Sequence, residues 1–65
     1  MHLNYYIMTD PKVCEGKPFF TGTRVKVGQV LDMLASGEGV AGILRVFPML
    51  KPEHISSALK YGRLK

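Results

Sequence analysis

The chain has 65 residues, a net charge of +4 and a single cysteine, Cys14. That length holds one domain, of a size that buries only about 60% of its unfolded surface and leans on a disulfide, a metal or a partner for stability. Internal disulfides are excluded, the spacing of Cys14, His2 and His54 is not that of a zinc site, and no stretch approaches the roughly 20 apolar residues of a membrane span. Association therefore remains as the source of extra stability, and a homodimer is expected. The lone cysteine fits a reducing compartment. Residues 1–8 have neither a basic leader nor a small-residue cleavage site, so the cytoplasm is the expected location.

In chain order, residues 4–8 have the aromatic and β-branched content of a short strand. Thr9-Asp10-Pro11 breaks it, because Asp favours turns and the residue before proline is pushed out of the helical region. Residues 14–18, with Gly16, read as a second turn. Phe19-Phe20 and Thr23-Arg24-Val25 read as two very short strands around Gly22, which supplies a positive φ without steric cost.

The rest of the chain is helical in pattern. Val27, Val30, Leu31 and Leu34 form one apolar set, Val40, Ile43, Leu44 and Phe47 a second, and Ile55, Ala58, Leu59 and Gly62 a third. Each is spaced i, i+3, i+4, i+7, which lines one helix face. The first helix is expected over 27–35, with Gly37 suited to a left-handed C-cap. The second spans 40–46 and is ended by Pro48. The third begins at Pro52, a favoured first helical residue, and runs to Tyr61, where Gly62 begins its end. The fold class is thus mostly α: a tri-helical, helix-turn-helix (homeodomain-like) core over 27–64, with a strand-bearing N-terminal arm over 1–26.

Two helix starts look poor. Gly39 brings no side-chain oxygen to the second helix, and Lys51 brings a positive charge to the positive end of the third. Lys51 is either accidental or the mark of a site that expects an anion. Charge gathers in the same place. Residues 51–65 hold four basic side chains against Glu53 alone, whereas the first fifty hold five basic and four acidic. Such a patch attracts phosphate, an acidic protein or an anionic surface, unless it is only a solvated terminus.

The order Asp10-Pro11, Cys14, Gly16-Lys17-Pro18, Gly22-Thr23-Arg24-Val25, Val27, Gly37, Ile43-Leu44, Phe47-Pro48, Leu50, Ile55, Ala58-Leu59 and Tyr61 closely resembles the domain-of-unknown-function family numbered 433. The resemblance covers about four-fifths of the chain and is strongest from Gly16 to Arg24. It implies a small prokaryotic helix-turn-helix-like domain of the kind regarded as a VapB-type antitoxin, encoded beside a PIN-like nuclease toxin. Two departures stand out. Gly39, Ala41 and Gly42 replace the hydroxyl and acidic residues usual at the second helix, and Lys51 stands where Thr or Ser is common.

The third helix is the candidate recognition helix. With its apolar set inward, Glu53, Ser57 and Lys60 point outward, His54 and Tyr61 lie on one flank, and Ser56 and Arg63 on the other. Lys51, His54, Ser57, Lys60 and Arg63 are the expected contacts to double-stranded DNA, against the plainer reading of a solvated face. Tyr5, Tyr6, Phe19 and Phe20 are too many for one face of a short strand pair, since alternate residues point opposite ways. Together with Arg24 they are the expected dimer or toxin contact, against folding back over the chain's own helices. Arg24 could alternatively reach a phosphate, pair with Asp32 or fix the arm on the helical core, and a structural role is the expected one. No cofactor is implied and catalysis finds little support: Asp10 and Glu15 lie in separate turns, and no glycine-rich phosphate loop follows a strand. The rival to an antitoxin is a protein-interaction module that never touches DNA.

Overall fold

The computed structural model describes residues 1–63, and side chains through Gly62. It contains strands β1 (Ile7–Met8) and β2 (Phe19–Phe20) and helices α1 (Val27–Ala35), α2 (Val40–Val46) and α3 (Pro52–Arg63), with a single turn over Cys14–Gly16 between the strands. The three helices start where the apolar periodicity places them. The strands are shorter than expected, for local reasons.

Asn4 Oδ1 accepts the N–H groups of Tyr6 at 2.8 Å and Ile7 at 3.0 Å, so residues 4–6 form a side-chain-bridged turn rather than a strand. Residues 1–3 fold back beside β1 instead: His2 bridges Met8, and the Thr9 N–H donates to the Met1 carbonyl at 2.7 Å. On its other side β1 pairs antiparallel with β2, Ile7 opposite Phe20 and Met8 opposite Phe19. The expected strand at Thr23-Arg24-Val25 is also replaced by a turn. The Thr23 hydroxyl donates to the Phe20 carbonyl at 2.8 Å and accepts the Val25 N–H at 3.0 Å, with Gly22 at φ +80°. Those bonds take the Phe20 carbonyl and the Val25 N–H, so the antiparallel pairing with β2 is reduced to the Phe20 N–H bond to the Val25 carbonyl at 3.0 Å and a bridge between Phe19 and Lys26.

The turn between the strands is left-handed through three residues, Cys14 (φ +52°), Glu15 (φ +57°) and Gly16 (φ +78°). Only Gly16 adopts this region without a Cβ penalty. Two i→i+3 bonds close it, Gly16 N–H to the Val13 carbonyl at 3.1 Å and Lys17 N–H to the Cys14 carbonyl at 2.9 Å. The Cys14 thiol adds a contact of 3.4 Å to the Arg24 carbonyl.

The core joins arm and helices. Ile7, Phe20 and Val25 from the arm pack with Val27 and Val30 of α1, Ile43 of α2, Leu50 of the α2–α3 connection, and Ile55 and Ala58 of α3. Three of these nine residues come from the arm, so the helices alone do not close the core. At about 25 cal/mol per Å², burying Phe20 contributes on the order of 2–3 kcal/mol.

Helix ends follow side-chain chemistry. At α1 the Gln29 amide oxygen accepts the Lys26 N–H at 3.1 Å, and at its other end Gly37 lies at φ +98° as the C-cap reading requires. In α2 the N-cap is Gly39 and no side chain caps it. Contrary to expectation, α3 does not end at Gly62 but continues to Arg63. A Cβ at Gly62 would sit 3.4 Å from a Leu31 methyl carbon, so the missing side chain lets α1 and α3 approach.

Two residues assigned to inward faces are exposed: Val40 at the start of α2, and Leu59, which is 46% exposed on α3. For α3 the reason is rotation. Ile55 and Ala58 are buried, and the half-buried residues beside them are His54, Ser57, Tyr61 and Gly62. The helix is turned toward His54 and Tyr61, which carries Leu59 outward and Ser57 partly inward.

Candidate nucleic-acid interface

The first turn of α3 explains how a lysine can stand at its N-cap. Pro52 has no N–H to satisfy, and His54, three residues after Lys51, reaches back so that its Nδ1 accepts the Lys51 N–H at 2.9 Å. This is the bond that Gln29 makes to Lys26 at α1. Both long helices thus begin with lysine and are closed by an acceptor side chain at the third helical position. As an acceptor at Nδ1, neutral His54 carries its proton on Nε2.

The same imidazole is fixed by two aromatic rings. Tyr6 meets it edge-on with ring centroids 5.0 Å apart, and Phe20 does so at 5.5 Å. His54 is therefore half-buried between arm and helix rather than projecting as a base-reading side chain. Of the other expected DNA contacts, Lys51 and Lys60 are exposed and Ser57 is half-buried. The Arg63 side chain lies outside the described residues. Among the described residues neither Lys51 nor Lys60 forms an ion pair; the Lys26–Glu15 pair, at 3.8 Å, lies elsewhere on the surface. Lys51 and Lys60 are nine residues apart, roughly 13 Å along the helix at 1.5 Å per residue. Nine residues also leave the two half a revolution apart, so Lys60 shares the outer face with Glu53 and Ser56 while Lys51 stands on the arm side, and the outward-facing hydroxyl belongs to Ser56 instead of Ser57.

The expected partner contacts separate into two groups. Phe19 and Phe20 are 4% and 0% exposed, so neither offers surface to a partner: Phe20 packs with the helices in the core, and Phe19 is buried on β2. Tyr6 is half-buried against His54. Tyr5 is 82% exposed, with its ring edge-on to Tyr6 at 4.8 Å. Arg24 is exposed and forms no ion pair with Asp32; its backbone carbonyl, not its guanidinium, holds the arm through Cys14.

A cleft of about 660 Å³ opens where the arm meets the start of α3, lined by His2, Asn4, Tyr5, Tyr6 and Thr21 of the arm and by Lys51, Glu53 and His54 at the helix start. Sequence reasoning named Tyr5, Tyr6, Lys51 and His54 as candidates but assigned them to two separate surfaces. The fold brings all four to one place. His2, Asn4 and Thr21 carried no sequence signal, because the cleft draws on three separated segments. The reach of His54 to Lys51 did have a signal: an acceptor three residues after a helix start, as in a capping box. Among the described residues no group of three or more His, Cys, Asp or Glu side chains is placed to hold a metal, and no helix is long and apolar enough to cross a membrane.

The structure defines a small tri-helical domain whose core is completed by a short antiparallel arm. Over residues 7–62 the chain matches the family described as protein of unknown function (DUF433), and it belongs to that family. The match runs from β1 into α3 and so includes the left-handed turn and the Gly16–Arg24 segment. Residues 1–6, which supply one wall of the cleft, precede it. No curated protein and no solved structure matches the chain.

Proposed function

We propose that this protein is the DNA-binding antitoxin of a type II toxin–antitoxin pair, acting in the cytoplasm as a binding protein and not as an enzyme. The observation that carries the DNA half is the outer face of α3: Lys60 is exposed, lacks an ion-pair partner among the described residues, and shares that face with the exposed hydroxyl of Ser56, while Lys51, equally exposed and unpaired, stands at the start of the helix. A helix of this kind meets phosphates with its lysines and base edges with its short polar side chains. The toxin half, a PIN-like nuclease, is supported by the family resemblance alone.

Fluorescence anisotropy with the DNA upstream of the chain's own reading frame tests the first half. Binding is expected to weaken steeply between 50 and 200 mM salt, on the order of the loss that release of phosphate counterions imposes. Replacing Lys51 and Lys60 with Ala should lower affinity at every sequence and flatten the salt slope by about two, one per phosphate contact. Thermal stability should change little, since both side chains are exposed. Binding that ignores salt, or is absent, overturns the DNA reading. Co-expression with the adjacent reading frame, followed by co-purification, tests the toxin half.

A second reading is favoured by one observation. Met1, Leu3 and Tyr5 are exposed on the arm, where residues 1–3 lie along β1 through the single bridge between His2 and Met8. Those side chains suit contact with another protein, including a second copy of the chain, in an interaction module without DNA. Light scattering at micromolar concentration distinguishes a dimer from a folded monomer.

A further inference from the structure

The cleft between the arm and α3 has a chemistry that α3's outer face lacks. Its volume of about 660 Å³ falls within the usual range for small-ligand sites. One wall carries Tyr5, a residue 82% exposed although its ring is held edge-on to Tyr6 at 4.8 Å. Across from it stand Lys51, a cation with no ion-pair partner among the described residues, and His54, whose Nδ1 is committed to the Lys51 N–H and whose remaining polar atom is the Nε2–H donor. Thr21 Oγ1, also in the lining, is shut off from bulk water and has no hydrogen-bond partner. A buried hydroxyl in that condition loses free energy until something bonds it.

An exposed flat ring, a free ammonium and the Nε2–H donor of His54 within one cleft match an anion joined to a planar aromatic group. Apolar peptide is a poorer occupant, because half of the lining side chains carry charge or imidazole.

We propose that this cleft holds one unpaired nucleotide of a nucleic-acid strand, its base against Tyr5 and its phosphate at Lys51. Glu53, also in the lining, repels phosphate but accepts a hydrogen bond from an exocyclic amino group, so adenine and cytosine are preferred to thymine. Stacking on an aromatic side chain with a cation for the backbone is the general mode of single-strand binding. The inference deepens the nucleic-acid reading above, giving it a second contact that duplex recognition by α3 does not require.

The test titrates the full chain with a single-stranded pentamer of deoxyadenosine at low salt, following backbone amide and Tyr ring resonances by NMR. Expected are shifts concentrated at Tyr5, Tyr6, Thr21 and His54, and binding at least several-fold weaker for a deoxythymidine pentamer. Tyr5→Ala should weaken pentamer binding about tenfold, the scale of one lost stacking contact, and Tyr5→Phe should restore it. The exposure of Tyr5 leaves both variants folded, which the NMR spectrum itself verifies. Arg45→Ala removes an exposed positive charge from α2 and should weaken binding less than twofold. Shifts confined to the outer face of α3, equal losses in Tyr5→Ala and Arg45→Ala, or no shifts at millimolar pentamer each overturn the proposal. Pentamer binding without duplex binding removes the operator reading and leaves the cleft; duplex binding without pentamer binding does the reverse.

Discussion

Two pairs of neighbouring aromatic residues in the arm meet opposite fates. Phe19 and Phe20 sit side by side on β2 and are both buried, whereas Tyr5 is exposed and Tyr6 only half-buried. Adjacent residues of a strand point to opposite faces, so burial of both phenylalanines means that β2 is covered on both sides. The tyrosines escape alternation because Asn4 bends the chain under them. Aromatic content in a short arm therefore says little about partners until the backbone path is known. The two pairs meet at one side chain: His54 touches Tyr6 from one and Phe20 from the other.

Breaking the buried pair should have the largest effect. Phe20→Ala is expected to cost about 3–5 kcal/mol, the range for truncating a buried aromatic. A domain of this size has a stability near that figure, so urea denaturation or circular dichroism should find the variant largely unfolded at 25 °C. If Phe20→Ala instead unfolds with a near wild-type midpoint, the arm is not part of the core.

The meeting point comes next. His54→Ala removes the acceptor for the Lys51 N–H and two edge-on ring contacts, a loss of roughly 1.5–3 kcal/mol. His54→Gln keeps an acceptor at the third helical position, as Gln29 does in α1, and should recover about 0.5–1 kcal/mol of that loss. Equal midpoints for the two variants would show that the rings, and not the cap, hold arm to helix.

The smallest effect is a gain away from both pairs. Gly42→Ala in α2 should stabilise by about 0.5–1 kcal/mol through helix propensity. A Cβ there would come 2.6 Å from Glu38 Oε2, so the exposed carboxylate must swing aside, which the flexible end of a side chain does at little cost. In a domain this small that gain corresponds to about 2–8 °C in melting temperature. A drop on substitution would show that the Glu38 carboxylate at the start of α2 outweighs propensity.

These variants follow the boundary between what the sequence makes legible and what it does not. The helices were readable because the pattern Val27, Val30, Leu31, Leu34 and its two successors are local signals with a fixed period. The rotation of α3 was not, since Leu59 and His54 lie at the two margins of one apolar stripe, and the ring contacts from Tyr6 and Phe20 decide which of them turns inward. Strand lengths failed for a different reason. Asn4 and Thr23 bond the backbone locally, and that competition leaves no trace in hydrophobic alternation. As for the candidate site, four of its residues were legible by type, but their convergence depends on residues 1–3 folding back onto β1, a long-range event with no periodic signature.

The left-handed turn at Cys14 and Glu15 bears on the order in which the molecule folds. Two L-residues in that region oppose the turn by about 1–2 kcal/mol each. The Glu15–Lys26 pair returns little because it is exposed. Locally only the two i→i+3 bonds favour the turn, and they are set against that backbone cost. The thiol contact to Arg24 needs the Phe20–Thr23 turn in place, and Lys26 needs the start of α1. The segment from Val13 to Lys17 is therefore expected to close late, after the helices and β2 have met. Changes there should register in the unfolding rate and leave the folding rate nearly untouched.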